Sequence, residues 1–137
     1  MNIHAEQYMS RYYPHCFDGL NIPTPEKCNW YVIIADHEEI GTLWLEKTEA
    51  STETAVLGIL IGDEGKHGKG IGVSAIKLAI NHSKDRLGFR NVRANVRLNN
   101  TRAISCYRKS GFTIISEGVK IRKGLEIPFA TLEIEAA

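Results

Sequence analysis

The residues best suited to chemistry lie where an apolar, strand-like run gives way to a helix through glycines. Gly62 to Gly72 holds five glycines and ends Lys66-His67-Gly68-Lys69-Gly70-Ile71-Gly72. Alternating glycines let backbone amides converge with no Cβ atoms in the way. They do so at a predicted helix N-terminus, where four N–H groups lack partners and the helix dipole favours an anion. Lys66 and Lys69 add positive charge beside it. This is the make-up of a phosphate or pyrophosphate cradle. Two common phosphate loops fit it poorly. A Walker A loop needs Lys and then Ser or Thr after its last glycine, whereas Gly70 is followed by Ile71-Gly72. A dinucleotide fingerprint is met in form by Gly70-Ile71-Gly72-Val73-Ser74-Ala75, yet seven residues separate Gly62 from Gly70 and no acid lies near position 92. Taken alone, the loop reads equally as a structural turn.

The elements that would position this loop follow from periodicity. Trp30 to Ala35 is a β-branched and aromatic run, stopped at Asp36-His37-Glu38-Glu39, and Ile40 to Glu46 reads as its hairpin partner. Glu46 to Thr54 is polar and predicts a loop. Ala55 to Ile61 is apolar on both faces, as a central strand is, and Gly58 within it predicts a bulge or a close backbone approach. From Ile71 the apolar period changes to 3.6, predicting a helix to about Leu87 with Gly88 as its C-terminal cap. Val92, Ala94 and Val96 alternate with polar residues as in a strand. Asn99 or Asn100 can cap a second helix over Thr101 to Ser110, ended at Gly111. Phe112 to Ser116 and Ile127 to Ile134 complete the strands. Before all this, Ala5 to Tyr13 suits a short helix stopped by Pro14. The order predicts an α/β (α+β) fold: a mixed, mostly antiparallel sheet of about six or seven strands with helices on both faces.

Composition narrows the function classes. At 137 residues the chain fits one domain over 1–137, with a short helical or irregular region at 1–29 and a core at 30–134. Seventeen basic residues face sixteen acidic ones, which gives no support to a nucleic-acid binder. No segment approaches the ~20 apolar residues of a membrane span, and residues 1–13 lack the apolar core of a signal peptide. Three cysteines without a CxxC pair read as free thiols in a reducing, cytoplasmic compartment. His4, His15, His37 and His82 lack metal-ligand spacing, so no metal is expected.

A second block gives the loop its meaning. Asn99-Asn100-Thr101-Arg102-Ala103-Ile104-Ser105-Cys106-Tyr107-Arg108-Lys109-Ser110-Gly111-Phe112 closely resembles the NxxAxxxYxxxGF motif of the GNAT superfamily of N-acetyltransferases. The glycine loop is similar to that family's [RQ]xxGx[GA] coenzyme A pyrophosphate loop, with His67 where Arg or Gln is usual. The two motifs stand in the family's order, one helix and one strand apart. The resemblance covers Trp30 to about Ile134, and its wording is nearest the branch that includes ribosomal-protein alanine acetyltransferases.

The resemblance implies the GNAT fold and acetyl transfer from acetyl-CoA to a primary amine, of a small molecule or a peptide N-terminus, by direct attack in a ternary complex. A catalytically silent acyl-CoA-binding module is the alternative. Leu60, Ile61 and Gly62 match the strand that hydrogen-bonds the pantetheine arm. The pyrophosphate would lie on the amides of Gly68, Lys69, Gly70, Ile71 and Gly72, with His67 at the loop's start. Asn100 matches a pantetheine contact, and Arg102 and Lys109 would meet the 3′-phosphate. Tyr107 matches the general acid that protonates the departing thiolate. Many relatives carry a glutamate base on the central strand. Here that face shows Thr54, Val56 and Gly58, which leaves Glu46, Glu53 or a water chain as the base. Cys106 reads as a packed thiol, and Trp44 as core or as a wall of the acceptor pocket. Only about 29 residues precede Trp30, so that pocket is expected to be reduced, or completed by a second subunit in a homodimer.

Overall fold

The computed structural model describes residues 2–5, 28–47, 53–61 and 70–136, with side chains described from Cys28 onward. Seven strands and two helices alternate as β1 (Asn2–Ala5), β2 (Cys28–Ala35), β3 (Glu38–Lys47), β4 (Thr54–Ile61), α1 (Ile71–Leu87), β5 (Asn91–Arg97), α2 (Thr101–Lys109), β6 (Thr113–Arg122) and β7 (Leu125–Glu135). The strands form one sheet in the order β1-β2-β3-β4-β5-β7-β6. Every pairing is antiparallel except β4 with β5, so the sheet is mixed and mostly antiparallel as expected.

Local sequence accounts for most of these elements. Asp36 and His37 both take positive φ, the backbone of a two-residue hairpin turn whose twist suits β2 and β3. Lys123 and Gly124 do the same between β6 and β7. That hairpin is much longer than its apolar residues suggest, and it takes Lys120 and Arg122 into β6. β1 is a correction to the sequence reading. Asn2–Ala5 is an edge strand paired with Tyr31–Ile34 of β2, where an irregular segment was expected. A neighbour's open edge supplies hydrogen bonds that local propensity does not report. The rest of the expected Ala5–Tyr13 helix lies outside the described residues.

The core follows from strand alternation. Leu43, Leu45, Ala55, Leu57, Val92, Ala94, Ala130 and Leu132 point to one face and meet Ala75, Ile76 and Ala79 of α1 and Tyr107 of α2 in a single buried cluster. Each large side chain removed from water there contributes about 1.5–3 kcal/mol. Both described helices cover this same face, so among the described residues the other face carries none. On the other face Trp30, Val32 and Thr42 are also buried, and the Trp30 indole N–H donates to the Thr42 hydroxyl. Cys28, on that face, is disulfide-bonded, which corrects the expectation of three free thiols; Cys106 is free.

A buried polar cluster ties β2 to the second half of α1. Asn29 Nδ2 donates to the Tyr31 hydroxyl (3.1 Å) and to Ser83 Oγ (2.9 Å), and the Tyr31 hydroxyl meets His82 Nδ1 at 2.8 Å. No buried side-chain polar atom among the described residues is left without a partner. In a low-dielectric core such a satisfied network fixes helix register as well as stability.

Candidate functional site

The site is made by two strands that part. β4 and β5 pair only at Thr54, Ala55 and Val56 with Asn91, Val92 and Arg93. The Glu53 carbonyl starts this register by accepting from the N–H groups of Arg90 (2.7 Å) and Asn91 (3.0 Å). Beyond Val56, β4 keeps β3 on one side and, among the described residues, has no strand neighbour on the other. An extended ligand can therefore lie along it as an added strand would.

A cavity of about 300 Å³ occupies this opening. Ile59, Leu60 and Ile61 form its floor, Gly70, Gly72 and Val73 of α1 one wall, and Asn100, Arg102, Ala103, Ser105, Cys106 and Lys109 the other. Gly70 caps α1 in the left-handed region (φ +76°), a conformation costly for residues with a Cβ. Its carbonyl accepts from Ser74, so the first helical bond closes there and the preceding amides of the turn remain unpaired within the helix. Gly72 has a different reason to be glycine. A Cβ there would stand 2.8 Å from Cys106 Sγ, so α1 and α2 approach each other only because position 72 is bare.

On α2 the cavity-facing residues Arg102, Ser105, Cys106 and Lys109 recur every three or four positions, which puts them on one helical face. Asn100 is the N-cap: its Oδ1 accepts from the Ala103 N–H at 3.2 Å, leaving the Nδ2 donors for a ligand. Arg102 and Lys109 are exposed at the rim and bring positive charge beside the α1 N-terminus. Burial pushes the Cys106 thiol up, against a smaller lowering by Lys109. It stays protonated near neutral pH and is a poor nucleophile there.

The structure brings together Leu60, Ile61, Gly70, Gly72, Asn100, Arg102 and Lys109 of the residues singled out in the sequence. Ile71 turns its side chain to the core instead of the cavity. Gly62, His67, Gly68 and Lys69 lie outside the described residues. Ile59, Val73, Ala103 and Ser105 line the cavity without having been singled out, and Cys106, expected as a packed thiol, lines it as well. The three on α2 were readable from the spacing that Arg102 and Lys109 already define.

Tyr107 is 4% exposed, its ring edge-on to Phe112 at 5.2 Å, and it is not among the residues lining the cavity. Burial, with a smaller contribution from Cys106, raises its pKa well above that of an ordinary phenol. Neither carboxylate considered as a base reaches the cavity. Glu53 stands before the first residue of β4, about 20 Å along the strand from Ile59 at ~3.3 Å per residue. Glu46 is buried on the face away from the helices, opposite Val56 and so about 13 Å from Leu60 on the same scale. Trp44 shares that face. Its indole covers Gly58, where a Cβ would lie 2.2 Å from the ring, which is the close approach that Gly58 foretold.

Two buried phenols give an alkaline prediction. Burial is the largest cause of the raised pKa of Tyr31, as of Tyr107, so both stay neutral in the folded chain above pH 10 while they ionise in the unfolded one. The folded state then binds more protons. The stability is intact below pH ~10 and falls at up to ~1.4 kcal/mol per pH unit for each group as pH rises toward the folded values. A difference-absorbance titration should show Tyr107 ionising only together with the loss of helical circular dichroism, and Tyr31 ionising later than an ordinary tyrosine. All five ionising before that loss would contradict the burial.

Among the described residues there is no group of three or more His, Cys, Asp or Glu able to hold a metal ion. No described helix is long and apolar enough to cross a membrane.

Comparison with known proteins agrees with this geometry. A family model described as "Acetyltransferase (GNAT) domain" matches residues 3–113. No curated protein matches the chain. Among solved structures, a chimera of the spermidine N-acetyltransferase of Vibrio cholerae and hSSAT superposes with TM-score 0.67 at 22% identity, over 80% of this chain and 70% of its own. The Vibrio cholerae spermidine N-acetyltransferase in complex with CoA and spermine gives 0.67 at 21%, over 80% and 66%. A GNAT-family acetyltransferase of Streptococcus pneumoniae gives 0.68 at 17%, over 80% and 67%. At these identities the likeness is one of fold.

Proposed function

The chain belongs to the GNAT acetyltransferase family, and from that premise we propose that it transfers an acetyl group from acetyl-CoA to a primary amine by direct attack in a ternary complex. The observation that carries the reading is the cavity itself. A stretch of β4 that has β3 on one side and, among the described residues, no strand on the other, a glycine-capped helix N-terminus and a cationic helix face converge on one opening.

Acetyl-CoA supplies the activated acyl thioester. The exposed edge of β4 at Ile59–Ile61 holds an extended pantetheine arm by backbone hydrogen bonds. The α1 amides, with those of the glycine loop, take the pyrophosphate. Gly72 and Cys106, at the close approach of α1 and α2, limit the width of that seat. Arg102 and Lys109 receive the remaining phosphate charge. A β4 amide near Leu60 meets the oxyanion that forms when the amine attacks. Tyr107, kept protonated by its burial, is the donor to the departing sulfur.

The base is assigned to water instead of a strand carboxylate, because Glu46 and Glu53 lie far along the strands and Trp44 covers Gly58. Trp44 walls the acceptor side of β4 in this reading. The neighbours' named ligands, spermidine and spermine, carry primary amines, which gives small polyamines priority in a screen. A peptide N-terminus, suggested by the ribosomal-protein branch, comes second. A cytoplasmic setting suits the cofactor.

Isothermal titration with acetyl-CoA, followed by thiol release in the presence of an amine panel, tests the proposal. Binding at micromolar affinity and amine-dependent CoA release are expected. Binding without release from any amine would leave the silent acyl-CoA-binding module as the function, and absence of binding would overturn both.

A further inference from the structure

We infer that the acceptor amine carries a carboxylate, held by Arg97 and Asn95 across the gap from β4. The inference rests on the acetyltransferase reading and narrows its substrate. In the parallel register Val56 faces Arg93, and both lie on the side of the sheet away from the described helices, as Glu46 does. Leu60 and Arg97 each stand four residues beyond that last rung, about 13 Å along their strands, so they are level where β4 and β5 have parted. Gly58 and Asn95 are level in the same way, and the Trp44 ring covers Gly58. Alternation keeps Asn95 and Arg97 on that outer face, since Ala94 and Val96 fill the core. α1 and α2 wall the cavity on the opposite side. With acetyl-CoA seated between them, an amine reaches the thioester through the outer face. It passes Trp44 and Leu60 on one side, Asn95 and Arg97 on the other.

The charges on that face choose the acceptor. Arg93 is neutralised, because its Nε donates to Glu133 Oε2 at 2.8 Å. Arg97 is exposed and has no ion-pair partner among the described residues. The Thr131 hydroxyl donates to Asn95 Oδ1 at 2.8 Å, so the Asn95 Nδ2 hydrogens are the donors left to a ligand. Phe129 of β7 pairs with Arg97, and its ring leans over Gly118 with the Lys120 ammonium 4.8 Å from its centroid. Lys120 thus adds a second positive charge to the outer face. Glu117 and Glu126 do not offset it, because they alternate to the other side of the β6–β7 hairpin. A guanidinium beside an amide donor matches a carboxylate through charge-assisted hydrogen bonds. A diamine brings a further positive charge to the same place and is disfavoured.

In the transfer the N–C bond forms and the thioester C–S bond breaks; the nitrogen gives its proton to water and the sulfur takes one from Tyr107. The test is CoA release from acetyl-CoA with matched acceptors: ω-amino carboxylates from glycine to 6-aminohexanoate, alkylamines of the same lengths, and the corresponding diamines. At the best length, kcat/KM for the amino carboxylate should exceed that of the alkylamine about tenfold or more, with the diamine lowest. Arg97→Gln should bring these acceptors to within about threefold of one another, and Arg97→Glu should invert the order in favour of the diamine. Each comparison is a ratio within one protein, so a change in folded fraction cancels. Titration of the same amino carboxylate into CoA-saturated protein, read by heat, separates the inference from the reading beneath it. Binding that Arg97→Gln abolishes, without CoA release from any amine, supports the carboxylate site and overturns acetyl transfer. Release that favours alkylamines or diamines, or a carboxylate preference that survives Arg97→Gln, overturns the inference and keeps acetyl transfer. Neither binding nor release overturns both.

Discussion

Tyr107→Phe is expected to lower kcat by about a hundredfold while acetyl-CoA affinity stays within about twofold. The substitution deletes one oxygen and keeps the ring, so the edge-on contact with Phe112 and the core packing remain. A tyrosine that only packs predicts turnover close to wild type. A tyrosine that serves the departing thiolate predicts loss in kcat, because that sulfur carries charge only in the transition state. The size follows from the burial. General acids contribute about 10²–10⁴-fold, most when their pKa lies near the working pH. Burial raises Tyr107 far from that point, which keeps the phenol protonated but makes it a weak acid. It contributes chiefly a hydrogen bond to developing charge, and the lower end of the range applies. The same shift fixes the pH profile: no fall in kcat between pH 8 and ~10 should trace to Tyr107. Steady-state kinetics with the first accepted amine, across pH and for both proteins, reads both outcomes.

Much of this arrangement was legible before any coordinates. The change of period at Ile71 marks the start of α1 and Gly88 its end, because a helix buries every third or fourth residue and a cap needs a left-handed residue. The doubly apolar run Ala55–Ile61 is β4, central in the strand order, though only Ala55 and Leu57 are fully buried and β5 stays beside it only as far as Val56. Of the two asparagines that could cap α2, Asn100 does so, and Arg102 and Lys109, assigned to the cofactor by the family resemblance, fall on the cavity face. What stayed hidden depends on partners distant in sequence. β1 exists because β2 has an open edge, and nothing within Asn2–Ala5 announces that edge. The reach of β6 to Arg122 is hidden because its residues are exposed on both faces and so show no alternation. The parting of β4 from β5 after Val56, which makes the cavity, is a matter of sheet geometry that no single residue encodes.

Gly41→Ala is expected to destabilise the fold by about 3 kcal/mol or more, beyond what Gly58→Ala costs, with no second substitution able to restore it. Both glycines lie against the neighbouring strand, but they meet different atoms. A Cβ on Gly41 would stand 2.1 Å from the Leu60 carbonyl oxygen and 2.9 Å from Ile61 Cα, both backbone, so β3 and β4 must separate to admit it. They would separate at Leu60 and Ile61, the floor of the cavity, so acetyl-CoA affinity should fall along with the melting temperature. The three atoms nearest a Cβ on Gly58 all belong to the Trp44 ring, whose side chain can be removed. Overpacking of that kind costs about 1–3 kcal/mol. In a Trp44→Leu background most of it should vanish, a coupling of about 1 kcal/mol or more, while the cost at Gly41 stays the same in that background. Urea unfolding of the four Gly58 and Trp44 combinations, beside Gly41→Ala with and without Trp44→Leu, measures both couplings. Equal rescue at the two glycines would mean that β3 and β4 yield as one flexible pair. The floor of the cavity could not then be the fixed edge on which an extended acyl-CoA arm is aligned.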